Sequence, residues 1–158
     1  MTELKEAARR VQQRAHDLGL DIAVRQMPGS TRTAEDAAAA CGCAVGQIVK
    51  SLVFKGRTSG KPYLLLISGS NRVDEKGVAA VIGEGLTRPD AQFVRDITGY
   101  AIGGIPPLGH ASPLATYLDR DLLQYDVVWA AAGTPEAVFS VAPAALAEKT
   151  AATVICVR

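Results

Sequence analysis

The stretch QIVKSLVFKGRTSGKPYLLLI, residues 47–67, decides the fold. Two apolar runs, Gln47 to Lys55 and Pro62 to Ile67, flank the turn formers Arg57-Thr58-Ser59-Gly60. Short apolar runs punctuated by glycine and proline read as strands, and two of them across one turn read as a hairpin. The hairpin is expected in the middle of the domain. Lys50 interrupts the first run. Its ammonium either stands on the solvent face of the pleat or reaches into a cleft as an anchor for an anion.

Upstream, Leu4, Ala7, Ala8, Val11, Ala15 and Leu18 recur at helical spacing, with Thr2 as N-cap, Glu3 in the first turn and Gly19 as the stop. Ile22 to Met27 alternates as a strand does and ends at Pro28-Gly29. Thr33-Ala34-Glu35-Asp36 opens a short alanine-rich helix that Gly42 closes. Downstream, helices are expected over Asp74 to Ile82 and Asp90 to Thr98, the latter stopped by Gly99. A strand over Leu114 to Leu118, a helical turn over Asp119 to Gln124 and strands over Tyr125 to Ala131 and Ala137 to Val141 follow. A proline-opened helix, Pro143 to Lys149, and a strand, Thr153 to Val157, close the chain. Irregular alternation with both hairpins and crossovers predicts an α/β (α+β) domain over residues 1–158, built on a curved, mixed, barrel-like sheet with flanking helices.

Composition excludes several classes. Seventeen basic against sixteen acidic residues leave a net charge of +1, so bulk charge does not make this a nucleic-acid coat protein. Aromatics make up 5% of the residues, which leaves the core to Ala, Val, Leu and Ile. Cys41, Cys43 and Cys156 are odd in number and form no CxxC pair, which suits a reducing compartment better than a disulfide framework. The charged N-terminus lacks the apolar run of a signal peptide, and no stretch has the length of a membrane span. A cytoplasmic protein with neither membrane nor DNA as partner is expected.

Between Thr98 and His110 the chain reads TGYAIGGIPPLGH. Glycine permits close backbone approach and proline fixes φ while removing a donor, so the few amides left are held in set directions. Such a loop can present N–H groups to a carbonyl or phosphate oxygen. It can equally be a buried bend between two elements.

Motifs for a serine-hydrolase elbow, a phosphate-binding loop or a dinucleotide fingerprint are absent. Only two histidines occur: His16 on the first helix, expected in solvent, and His110 after the glycine-proline loop. His110 with Ser112 is a weak nucleophile pair, because such pairs are normally assembled by folding rather than by proximity in sequence. A loop histidine capping backbone is as plain a reading. What remains is one strand lysine and one rigid loop, enough to bind an anion and polarise a carbonyl while water or a substrate hydroxyl handles the proton.

Val49-Lys50-Ser51-Leu52-Val53-Phe54, Asn71-Arg72-Val73-Asp74 and Gly103-Gly104-Ile105-Pro106-Pro107-Leu108-Gly109 together resemble the YbaK/ProX aminoacyl-tRNA deacylases, relatives of the editing domain of prolyl-tRNA synthetases. The resemblance implies trans-editing without a metal or other cofactor: hydrolysis of the ester joining a wrong amino acid to the terminal adenosine of a tRNA, typically tRNA(Pro). The aminoacylated tRNA 3′ end would be the partner, with prolyl-tRNA synthetase as a second one. By position, Lys50 would hold the terminal nucleotide or orient the aminoacyl group, and backbone amides around Gly103 and Gly104 would stabilise the oxyanion. Ser51, Ile105, Pro106, Pro107, His110 and Ala131 are the matching substrate-binding candidates. Members acting on cysteinyl-tRNA carry a small hydroxyl residue where this chain has Ala131, so the amino acid stays open. A non-catalytic module binding tRNA or a synthetase is the alternative; an esterase using Ser112 and His110 is a third reading. A basic patch for an acceptor stem could draw on Lys50, Lys55, Arg57, Lys61, Arg72 and Lys76, or these could be a solvated rim.

Overall fold

The computed structural model describes residues 4–158, so the expected Thr2 cap and Glu3 lie outside the described residues. The first helix, α1, covers Glu6–Asp17, with Lys5 at its N-cap position, and buries Ala8, Val11 and Ala15. Helix α2 (Ala34–Cys41) starts where the capping pattern places it: the Thr33 hydroxyl accepts from Asp36 N at 3.0 Å. Gly42, at φ +69°, ends it. Three further helices are α3 (Glu75–Ile82), α4 (Ala91–Thr98) and α5 (Pro143–Lys149).

Among the described residues, eight strands form one mixed sheet: β1 (Arg25–Gln26), β2 (Ile48–Gly56), β3 (Pro62–Ser68), β4 (Leu86–Thr87), β5 (Ala115–Asp119), β6 (Val128–Ala131), β7 (Ala137–Val141) and β8 (Thr153–Ile155). Their order is β1-β7-β6-β2-β3-β5-β8, with β4 added to β2. The path has two free ends, so the expected barrel-like sheet is open rather than closed. Hairpin β2–β3 is its centre, antiparallel from Val49↔Ser68 to Lys55↔Pro62. Strands β6 and β5 lie parallel to β2 and β3 respectively.

Alternate residues of the hairpin feed two separate cores, as the two-residue period of a strand requires. Val49, Val53, Leu64 and Leu66 pack with α1, Phe139 of β7 and Leu146 of α5. Phe54, Tyr63, Leu65 and Ile67 pack with Val78 of α3 on the other face. Layers on both faces explain why these strands are nearly continuously apolar.

Some expected strands shorten for identifiable reasons. In the segment 22–27 only Arg25 and Gln26 pair, because the Gln12 side chain takes up backbone groups before them: its amide donates to Ile22 O at 2.8 Å and its carbonyl accepts from Val24 N at 2.8 Å. Residues 120–124 form a 3-10 turn, which delays β6 until Val128. The two-residue β4 has no alternation to announce it and exists because β2 offers it an edge at Lys55 and Gly56.

The hairpin turn is pinned by Glu84. Its carboxylate accepts from Thr58 N (3.0 Å), Ser59 N (2.9 Å), Ser59 Oγ (2.6 Å) and Tyr63 OH (2.6 Å). The Ser59 and Tyr63 hydroxyls and the turn amides hold its pKa down from 4.5 to about 2. A carboxyl depressed in the folded state stabilises above its unfolded pKa, and that contribution is lost as the pH falls through the folded value. The thermal midpoint is therefore expected to drop between about pH 4.5 and pH 2, and Glu84→Gln should start lower near neutrality and lose less on acidification. Thermal melts across that range check this; parallel curves for the two proteins would rule it out.

Candidate active site

Strands β2 and β6 are paired only at Ile48↔Trp129 and Val49↔Ala130. On the same edge of β2 the next partner, β4, begins at Lys55. Residues 50–54 of β2 therefore face a gap in the sheet on this side. A cavity of about 300 Å³ opens there. Its apolar wall comes from Ile48, Trp129, Ala130, Val138 and, on α2, Ala34 and Ala37. Its polar lining is Lys50, Ser51, Thr31, Arg32 and Thr33, and Ile102, Gly103 and Ile105 close it from the loop. Of the expected site residues, Lys50, Ser51, Gly103, Ile105 and Ala131 thus line one cavity.

Lys50 is half-buried, and its Nζ donates to the carbonyl of Asn71 at 2.6 Å. Burial lowers its pKa below the ordinary 10.5, opposed by Glu35 and reinforced by Arg72. One of its three donors is taken, leaving two for a ligand. Next to it, the Ser51 hydroxyl is buried with no hydrogen-bond partner. An orphaned buried hydroxyl is costly, and a ligand that bonds to it relieves the cost.

The loop after α4 is a buried bend over most of its length. Residues from Gly104 to Leu108 are buried, with Ile105 and Leu108 in the core beside α1, whereas Ala101 and Ile102 are exposed. Gly133 N donates to Gly104 O at 2.8 Å, Ala111 N to Thr98 O at 2.9 Å and Ser112 N to Ile97 O at 3.0 Å. Arg10 lies over the Tyr100 ring, 4.7 Å from its centroid, and donates to Gly99 O. Gly103 adopts φ +101°, a region that favours glycine, and the Arg32 side chain packs against it. Gly104 N donates to Ala101 O at 3.1 Å, while Gly103 N–H makes no hydrogen bond among the described residues. Of the two neighbouring glycine amides, that of Gly103 is the unbonded one.

Pro107 and His110 lie elsewhere. They line a second cavity with Arg14, Ser112, Thr116 and Lys149. His110 Nε2 is 2.8 Å from Pro106 O, to which it donates, and burial pulls its pKa down. Ser112 makes no hydrogen bond with it among the described residues, so no nucleophile pair forms. His16 is exposed, as expected. The hairpin cations are partly occupied: Lys55 sits over the Phe93 ring at 4.9 Å and Arg57 donates to Leu86 O. Burial pushes the Cys41 thiol up to about 11, which suits an inert side chain.

Arg32, Trp129 and Thr31 were not legible as site residues. Thr31 is buried, and both its N–H and its hydroxyl donate to Pro135 O at 2.6 Å, fixing the segment before α2 against the β6–β7 turn. Arg32 follows in an irregular segment where no periodicity points. Trp129 alternates like any strand residue, so nothing local marks it as part of the cavity wall.

A lysine and a loop glycine with an unbonded amide thus stand at a gap in the sheet of a mixed α/β domain, with no imidazole, carboxylate or thiol on the cavity wall among the described residues. A family model of the aminoacyl-tRNA editing domain matches residues 29–149, and the chain belongs to that family. A solved structure provisionally described as a trans-editing enzyme for prolyl tRNA synthetase superposes with TM-score 0.93 at 48% identity, covering 99% of each chain. EbsC of Enterococcus faecalis, provisionally named a Cys-tRNA(Pro)/Cys-tRNA(Cys) deacylase, is 31% identical over 129 residues, 75% of this chain and 77% of its own. The uncharacterized protein YwhH of Bacillus subtilis is 30% identical over 125 residues, 79% of each.

Proposed function

We propose that this chain is a cytoplasmic trans-editing hydrolase that cleaves the ester of a mischarged tRNA, with tRNA(Pro) carrying a small wrong amino acid as the substrate and prolyl-tRNA synthetase as the enzyme it serves. The observation that carries this reading is the makeup of the cavity wall: Lys50, Ser51 and Gly103, whose amide is unengaged, line it without any histidine or carboxylate among the described residues. A serine without a base is a poor nucleophile. Water is therefore the attacking group, and a hydroxyl of the terminal adenosine assists it.

In this reading Lys50 binds the terminal nucleotide or orients the aminoacyl group. Gly103 N–H donates to the ester oxygen as it becomes an oxyanion, and Ser51 bonds to the aminoacyl group. Water adds to the carbonyl carbon, the carbon–oxygen bond to the ribose breaks, and the proton passes to the departing hydroxyl. The products are a free amino acid and a tRNA with both terminal hydroxyls restored. Gly104, Pro106 and Pro107 shape the loop, and Ala131 and Ile105 border the aminoacyl group. Arg32, exposed beside Gly103 at the cavity, suits a phosphate of the single-stranded 3′ end.

The test is single-turnover deacylation of tRNA(Pro) charged separately with alanine, cysteine, serine and proline. Hydrolysis of at least one mischarged species well above the buffer rate, with Pro-tRNA spared, is the expected result. Binding of every charged tRNA without turnover would replace the hydrolase by a binding module.

A further inference from the structure

Lys50 is held by a residue that does not line the cavity. Asn71 lies just beyond β3, and its carbonyl accepts the Lys50 ammonium at 2.6 Å. Its side-chain amide is spread between two carboxylates, donating to Asp119 Oδ2 at 2.8 Å and to Asp121 Oδ2 at 2.7 Å. Asp119 is fully buried and also accepts from Ser68 N at 3.0 Å and Asp121 N at 2.9 Å. Asp121 is held from outside by Arg158 Nε at 2.7 Å.

Each part of this chain of contacts has a physical reason. An Asn amide has two N–H donors, which lets one side chain serve two carboxylates and offset their mutual repulsion. A buried carboxylate that loses a partner is costly, so the Asn71 side chain is strongly held in place. Lysine has a flexible four-carbon stem, and without a fixed acceptor its ammonium samples many positions. The carbonyl of a clamped residue supplies such an acceptor and leaves two donors unused on a lysine that lines the cavity.

We propose that Asn71 is the positioning residue for Lys50: the Asp119–Asp121 clamp on its side chain fixes its backbone carbonyl, and that carbonyl sets the ammonium at the cavity. The inference rests on the reading of Lys50 as the cation of the deacylation. Asn71 itself touches no substrate.

The test is a double-mutant cycle on the full chain, with single-turnover deacylation of the mischarged tRNA(Pro) that the wild type hydrolyses. Asn71→Ala is expected to slow the reaction about 10- to 100-fold, the range associated with a catalytic group misplaced by an ångström. In the Lys50→Met background the same change should cost less than about twofold, because residues acting as a unit are non-additive. Equal losses in both backgrounds would mean a merely structural residue and overturn the proposal. Asp121→Ala, which removes one of the two acceptors, gives a milder variant should Asn71→Ala fold poorly. It is expected to show a smaller loss, again only when Lys50 is present.

A second readout does not need turnover. The Lys50 ammonium, identified by its absence from Lys50→Met, should give a proton–nitrogen NMR signal because its hydrogen bond slows exchange. That signal should vanish in Asn71→Ala, and its persistence there would overturn the proposal. Lys50→Met turning over at the wild-type rate would overturn the reading of the lysine, and this proposal with it. An inactive Lys50→Met beside a fully active Asn71→Ala would overturn the positioning role alone.

Discussion

Gly104→Ala is expected to destabilise the protein by about 3 kcal/mol, the upper part of the range for overpacking a filled interior. A Cβ at Gly104 would lie 2.8 Å from Thr134 Cα, 2.8 Å from Thr134 N and 2.9 Å from Gly133 C. All three are backbone atoms, so no side chain can swing aside. The turn cannot retreat either: a Cβ at Gly133 would meet Ala7 O of α1 at 2.9 Å, and Gly133 N is bonded to Gly104 O. For a chain of this size the thermal midpoint should fall by roughly 6–12 °C. Whatever folds should lose deacylation as well, because the loop must lift away from the β6–β7 turn and carry Gly103 with it. Gly29→Ala is the control: nothing lies within 4 Å of a Cβ there, and no change in melting is expected. A melting curve for Gly104→Ala that overlays the wild type would show that the loop does not depend on this contact.

Lys50→Met carries the largest expected effect on activity, a loss on the order of 10²–10³ in single-turnover rate, comparable with removing a principal electrostatic stabiliser. Stability should change little. Methionine keeps the length and the apolar stem, and the ammonium it replaces is one that burial already disfavours, as its lowered pKa indicates. The pH dependence has a definite sign. In the proposed reading the cationic form is the active one, and since its pKa is lowered the rate above the buffer background should fall on the alkaline side at a pH below that of an ordinary lysine. His110→Ala should lose far less, since His110 faces the second cavity and is occupied with Pro106 O. A wild-type rate in Lys50→Met would remove the lysine from the mechanism. Abolition of activity by His110→Ala alone would move the chemistry to the other cavity.

Elements that rest on local physics can be read directly from the residues that form them. The hairpin β2–β3, the Thr33 cap and Gly42 stop of α2, the Gly99 stop of α4 and the proline at the start of α5 are all written within a few residues of where they act. Lys50 and the glycine-proline loop stood out for the same reason: a charge inside an apolar run and prolines beside glycines are anomalies that need no structure to notice. Tertiary structure alone decided which of these anomalies meet. The cavity exists because β2 and β6 part after Val49 and Ala130, a departure set by strands about 80 residues apart in the chain. The cavity also takes in Arg32 and Trp129, which nothing local marks, while Pro107 and His110 line the second cavity. Which of two neighbouring glycine amides is free was likewise settled by a single turn, Gly104 N to Ala101 O. Hydrogen bonds and burial of this kind depend on atoms brought together across the chain, and no spacing within one segment encodes them.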